Sequence, residues 1–374
     1  MKIVITGAGG LLGGHAAARI HALNCTAGFK GETAPFELVM LDHRSFNNDS
    51  TLSAALANVD AVLHFAGVNR ATDTIVEQVN PKIAERLAYA CLKSGVSPHV
   101  IFSNSVHSDR DTPYGRSKRI TSKILSKIGE QYTDLVLPHL FGEGARPNYN
   151  NVTATFISAV ISGATPQINP NGKVSLLHAG AAAQIAIDAA TKGQFGCLNP
   201  KGKLTSIKDL FMMLQGFHQD YENNIFPNLQ DHFTLSMFNS YRTALYPDTF
   251  PRHPTLKKDE RGTLFEVAKG GGGGQFFSSW TEPGFTRGNH FHLNKVERFL
   301  VLNGEAIIRM RHVINGPIWE YPVNGNVPAV VDIPTLYTHS IENVGHNPLQ
   351  TMFWTHDLFD PVDSDTFQDT VQKV

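Results

Sequence analysis

The sequence predicts two domains of different class: a doubly wound α/β domain, then an antiparallel all-β sandwich or jelly roll. Three observations predict this. Short apolar runs alternate with helical stretches across residues 1–200, the pattern of a parallel sheet covered by helices. Beyond Asp259 strand-like runs follow one another, punctuated by Gly262, Gly270 to Gly274, Gly284, Gly304, Gly316 and Gly325, as in antiparallel β structure. The length, 374 residues, suits two or three domains at roughly 100–200 residues each.

The α/β strands are expected at residues 3–6, 36–41, 61–65, 99–102 and 135–140, with helices at 75–92 and 117–128. Tyr246-Pro247, Pro251 and Pro254 mark a polar linker. The expected division is therefore 1–245, a linker at 246–258, and 259–374.

Composition narrows the function. Hydrophobic residues make up 41% of the chain and the net charge is −1. That is enough apolar surface for buried cores, with no basic excess to attract nucleic acid. Cys25, Cys91 and Cys197 are widely spaced, neither a disulfide framework nor a metal pair, which fits a reducing cytosol. No apolar run approaches the ~18 residues of a membrane span. The strand-like opening Met1 to Ile5 does not resemble a secretion leader, so a cytoplasmic protein is expected.

Gly7, Gly10 and Gly13 follow the first strand and open a helix, with Leu11 inside the turn. Glycine there lets the turn close and lets a cofactor pyrophosphate approach helix N–H groups. The second strand ends at Asp42, with Arg44 two residues on. An acidic residue here holds a ribose hydroxyl and an arginine a 2′-phosphate, so NADPH is expected. Ala66 and Gly67, after the third strand, are small enough for nucleotide to pack on the backbone.

Tyr114 and Lys118 stand four apart, hence on one helix face. A nearby ammonium favours phenolate, and such a tyrosine can pass a proton to a carbonyl oxygen as hydride arrives. Ser105, nine residues upstream, can hold the same oxygen. These residues resemble the extended short-chain dehydrogenase/reductase family over roughly residues 1–245, implying a Rossmann fold with Ser105, Tyr114 and Lys118 as catalytic residues. Lys118 would also bind the nicotinamide ribose. The resemblance also places Arg146, Asn148 and Asn150 in a sugar-nucleotide pocket.

His290 and His292 alternate on a strand and so share a face. Glu297 follows after a turn at 293–295, and His339 offers a fourth donor. Imidazole and carboxylate together suit Zn²⁺, Ni²⁺, Fe²⁺ or Mn²⁺, with zinc the expected ion. The spacing from Gly284 to Gly304 resembles the cupin family. A second motif departs from the family pattern: Leu336 and Pro328 stand where glycine is usual.

The fusion resembles the bifunctional reductase–cupin enzymes of capsular polysaccharide synthesis in the UDP-N-acetyl-L-fucosamine pathway. The motifs carrying it include Gly67-Val68-Asn69-Arg70, Pro147-Asn148-Tyr149-Asn150 and Asp259-Glu260-Arg261-Gly262. The resemblance implies a UDP-linked 4-keto-6-deoxy amino sugar as substrate, epimerised at C3 in the cupin and reduced at C4 by NADPH. The product implied is a UDP-2-acetamido-2,6-dideoxy-talose. Tyr337 and Lys295 are both candidates for the epimerisation base, and Tyr337 for a substrate contact. Two other readings stay open: a plain 4-ketosugar reductase with a structural cupin, and a non-catalytic NADPH-binding module. A homodimer is the expected assembly.

Overall fold

The computed structural model describes residues 1–372. The chain folds as two compact units. The first comprises Met1–Thr155 and Asn169–Ile207, the second Phe156–Ile168 and everything described from Lys208 on.

In the first unit, six strands form one parallel sheet: β1 (Lys2–Thr6), β2 (Glu37–Leu41), β3 (Ala61–His64), β4 (His99–Ser105), β5 (Tyr132–Leu137) and β6 (Gly196–Leu198). Their spatial order is β2-β1-β3-β4-β5-β6. Ile3, Val4, Ile5, Val62, Leu63 and Ile101 are fully buried, as strands covered on both faces require. Val4, Val62, Val100 and Phe102 share one core with Leu87 and Leu125. These two leucines come from α2 (Asp73–Ser94) and α3 (Pro113–Leu125). α1 (Leu11–Phe29) contacts β1 and packs on the helix Ala179–Lys192. The strand order reverses between β2 and β3 on either side of β1, so a crevice opens at the carboxyl ends of β1 and β3.

Two local readings differ from expectation. The strand expected at 135–140 is two strands: β5 in the main sheet, and His139–Phe141 in a separate sheet with Lys173–His178 and Lys203–Ser206. Pro138 lies between them; it has no N–H to give the ladder. The helix expected at 117–128 begins earlier, at Pro113, where Thr112 accepts the Gly115 N–H. Proline suits a first helical position.

In the second unit, β7 (Gln275–Thr281), β9 (Glu297–Asn303), β12 (Val330–Ile333) and β14 (Leu349–Thr355) form one antiparallel sheet, ordered β7-β14-β9-β12. The other contains β8 (Thr286–Phe291), β10 (Glu305–His312), β11 (Trp319–Asn324), β13 (Tyr337–Asn343) and β15 (Phe367–Gln368), ordered β11-β10-β13-β8-β15. The core holds Phe291, Phe299, Val331, Ile333 and Ile341.

Helices α4 (Ile207–Glu222) and α5 (His232–Thr243) pack with these strands, although the sequence suggested a boundary at 245. The Tyr221 hydroxyl donates to Asp332, and Arg242 donates to the Ile333 carbonyl at 3.3 Å. Asp332 is also forked by Arg298 at 2.5 and 2.7 Å, both side chains 1% exposed. Removing one partner of such a buried pair leaves an uncompensated charge, so α4 is locked to this unit. The segment expected as a linker is packed as well. The half-buried Tyr246 donates to the Asp332 carbonyl at 2.7 Å, and Arg252 exchanges both backbone hydrogen bonds with Val330.

Candidate active site and metal centre

The glycine turn lies at the end of β1. Gly7 has φ +71°, and a Cβ on it would sit 2.7 Å from the Ala66 nitrogen. A Cβ on Gly13 would sit 2.3 Å from the Gly7 carbonyl oxygen. Gly10 caps α1 without a side-chain acceptor. The first-turn N–H groups, including that of Leu11, are thus left for an anion. Ala66 and Gly67 face this turn from β3: the Ala66 N–H donates to Thr6 Oγ1 at 3.3 Å. A cradle of this shape fits a dinucleotide pyrophosphate.

Asp42 and Arg44 lie where β2 ends, but Asp42 is engaged locally. Its Oδ1 accepts the Ser45 N–H at 2.7 Å and the Ser45 hydroxyl at 2.5 Å, and these bonds hold its carboxyl below the usual range. The carboxylate caps its own short helix, His43–Asn47, on which Arg44 sits.

Ser105, Tyr114 and Lys118 converge. Ser105 lies close enough to the Tyr114 phenol to pull its pKa downward. Lys118 Nζ donates to the Ser103 carbonyl at 2.7 Å, and stands 4.7 Å from the Phe102 ring centre and 5.8 Å from that of Tyr114. Burial lowers Lys118 to about 8, with Asp134 pulling the other way. The expected lowering of the Tyr114 pKa is not found. Burial raises the phenol and only Ser105 opposes it, because the ammonium is turned to a carbonyl. Gly115 has a structural reason that sequence reading missed: a Cβ there would meet the Arg110 oxygen at 2.3 Å.

Asn80 was also missed. Its Oδ1 accepts the Val68 N–H at 2.6 Å, and its Nδ2 donates to the Val68 carbonyl at 2.9 Å and to Ser117 at 3.1 Å. It ties the loop after β3 to the helix bearing Tyr114. No local motif marks it. Arg146, Asn148 and Asn150 are exposed on one loop, where both asparagines take positive φ, +56° and +51°. The Asn150 amide donates to the Asn69 carbonyl, joining two segments that the sequence had singled out separately.

The second constellation assembles across the sandwich. His290 lies on β8 beside His339 on β13, and Glu297 opens β9 in the facing sheet. The four donor atoms all lie within 4.8 Å of one another. His292 Nδ1 is 2.6 Å from the Asp365 carbonyl and His339 Nδ1 is 3.3 Å from the Tyr337 carbonyl. Carbonyls only accept, so both rings carry the proton on Nδ1 and turn an Nε2 lone pair inward. Each Nε2 is 3.3 Å from Glu297 Oε2. His339 Nε2 is buried with no hydrogen-bond partner. Two lone pairs facing a carboxylate suit a cation between them. Donors bonded to a tetrahedral ion at about 2.1 Å stand about 3.4 Å apart, so the residues present fit a metal. Burial, then the neighbouring His339 and His292, push His290 down to about 2, which keeps that ring neutral, the ligating form.

Leu336 takes φ +67°, the conformation for which glycine is usual, while 3% exposed. Of the two base candidates, Lys295 Nζ is held by the Ser364 carbonyl and Thr366 hydroxyl. Tyr337 packs against Tyr246 and His312, with its phenol raised by burial.

A second group, His15, Glu143 and His178, is also buried and clustered. Here His178 Nε2 is 2.7 Å from Glu143 Oε2. That is direct hydrogen-bond contact, with no gap for an ion.

A family model described as the NAD dependent epimerase/dehydratase family matches residues 3–194. The chain belongs to that family. In its second half, a model described as the polysaccharide biosynthesis C-terminal domain matches residues 257–367. The chain is 28% identical over 386 residues to UDP-2-acetamido-2,6-beta-L-arabino-hexul-4-ose reductase of Pseudomonas aeruginosa, covering 98% of each. It resembles the crystal structure of capsular polysaccharide assembling protein CapF from Staphylococcus aureus, with 29% identity, TM-score 0.58, and 99% and 100% of the two chains covered. A further crystal form of that protein aligns with 27% identity, TM-score 0.52, and 99% and 100% coverage. The fold expected from the sequence, a Rossmann α/β domain followed by an all-β jelly roll, is the fold observed.

Proposed function

We propose that this chain is a bifunctional nucleotide-sugar enzyme. It epimerises a UDP-4-keto-6-deoxy-N-acetylhexosamine at C3 in the second unit and reduces the C4 ketone with NADPH in the first. One observation carries this reading: a complete Ser105–Tyr114–Lys118 set and a four-donor His290–His292–Glu297–His339 cluster occur in one chain. The full-length similarity to a 4-ketosugar reductase and to a capsular polysaccharide protein supports it.

In the first unit NADPH supplies hydride. The Ser105 hydroxyl holds the C4 oxygen and Tyr114 donates the proton. Lys118 orients the cofactor ribose, and the turn of Gly7, Gly10, Leu11 and Gly13 receives the pyrophosphate. Asp42 and Arg44 sit at the adenosine ribose, with Arg44 meeting a 2′-phosphate. Arg146, Asn148 and Asn150 contact the nucleotide sugar.

In the second unit a bound divalent ion, for which zinc is the proposed identity, would act as a Lewis acid on the C4 carbonyl and so acidify the C3 proton. His290, His292, Glu297 and His339 hold it. Tyr337 lies two residues from His339 on β13 and so shares its face. That makes it the proposed base over Lys295, whose ammonium is engaged elsewhere. The product is a UDP-2-acetamido-2,6-dideoxy-talose for a surface polysaccharide, made by a cytoplasmic homodimer. Among the described residues no helix is long and apolar enough to cross a membrane.

Product NMR after reaction with NADPH and the 4-ketosugar in deuterated water tests this. Deuterium at inverted C3 together with reduced C4 is expected. Reduced C4 with the original C3 proton would leave a plain reductase, and absence of reduction would sink the oxidoreductase reading.

A further inference from the structure

The turn between His292 and Glu297 has its own anchor far along the chain. Three successive backbone N–H groups in this turn point at one side chain. Leu293 donates to Asp365 Oδ1 at 3.1 Å, and Asn294 and Lys295 donate to Asp365 Oδ2 at 2.8 and 2.7 Å. The main-chain carbonyl of the same residue accepts the His292 Nδ1–H at 2.6 Å. Asp365 takes φ +45° to do both, a backbone conformation that costs most residues energy and that Asp and Asn tolerate best.

Its neighbours grip the other ligand-bearing segments. Phe367 and Gln368 pair with Phe291 and His290. Asp369 accepts Thr338 Oγ1 at 2.6 Å and Arg311 at 2.9 Å. The segment 364–369 thus contacts residues at or beside every proposed ligand except Glu297, and Asp365 governs the turn that delivers Glu297.

We infer that Asp365 is the positioning residue of the proposed metal centre: its carboxylate sets the His292–Glu297 turn and its carbonyl fixes the His292 tautomer. This rests on the metal reading above. A partner that orients a ligating histidine typically changes metal affinity about 10–100-fold.

The test is titration of the full chain, stripped of metal, with Co²⁺, read by visible absorption. Two variants keep the main-chain carbonyl and accept positive φ while removing the carboxylate: Asp365→Asn and Asp365→Gly. Both are expected to bind Co²⁺ about 10–100-fold more weakly and with shifted absorption bands, while NADPH affinity stays at the parent value. Parent-like affinity and spectrum in either variant overturns the role of Asp365 and leaves the metal site standing. If the parent chain itself takes up no Co²⁺, the metal reading falls and this inference falls with it.

Discussion

The two sites of this molecule are built in opposite ways. In the first unit, parallel strands bring their carboxyl ends to one edge, so each site residue sits just past a strand: Gly7 after β1, Asp42 after β2, Ala66 after β3. Ser105 ends β4, and Tyr114 and Lys118 ride the next helix. In the second unit, donors come from facing sheets: His290 and His339 from one, Glu297 from the other. A parallel sheet therefore writes its site as short motifs at regular places, whereas a sandwich gathers it across the core. The protonation chemistry differs too. Burial lowers Lys118 only to about 8, whereas burial and the two neighbouring imidazoles take His290 down to about 2.

The sharpest way to break this comparison is to disable one site at a time. Tyr114→Phe is expected to lower C4 reduction by about 10²–10⁴-fold, with metal content and C3 deuterium exchange unchanged. His339→Ala is expected to remove the metal and C3 exchange while NADPH affinity persists. Metal analysis and exchange NMR read both variants. If Tyr114→Phe also ended exchange, the sites would not be separable.

Backbone crowding gives the next effect. Gly13→Ala places a methyl 2.3 Å from the Gly7 oxygen, at a cost of about 1–3 kcal/mol. A lower melting temperature and weaker NADPH binding are expected, and an unchanged NADPH titration would argue that the turn is not the cofactor cradle.

Leu336 offers a test of the other half. Leu336→Gly would relieve about 1–2 kcal/mol of left-handed strain but open a cavity worth about 2–5 kcal/mol. The net expectation is a loss of about 0–4 kcal/mol in chemical denaturation. A gain in stability would mean that strain outweighs burial there.

The smallest effect near neutral pH concerns the first unit. Burial lowers His15 and His64 from 6.5 to about 3. Between those values the unfolded chain binds protons that the folded chain refuses, so stability falls as pH drops from 6.5 towards 3. His64→Gln should flatten part of that limb in urea titrations at several pH values. An unchanged slope would show that His64 takes up its proton in the folded state.

Much of this was legible in the residues alone. Periodicity and punctuation gave both fold classes and most of the first sheet, because a buried parallel strand must be a continuous apolar run and its turn must be glycine where backbones nearly touch. The pairings Tyr114–Lys118 and His290–His292 follow from helix and strand periods, so they too needed no structure.

What only the tertiary structure decided lies in long-range contacts. By sequence, helices α4 and α5 read as part of the first domain, but Tyr221 and Arg242 both bond residues of β12. Asn80 and Asp365 carry no local signature, since each acts by meeting backbone groups brought near by folding. The Tyr114 pKa was misjudged for the same reason: sequence spacing places an ammonium beside a phenol, but burial and the direction of one hydrogen bond decide whether it is felt. Local chain geometry fixes which residues share a face; only the packed structure fixes which groups lose water and what they meet instead.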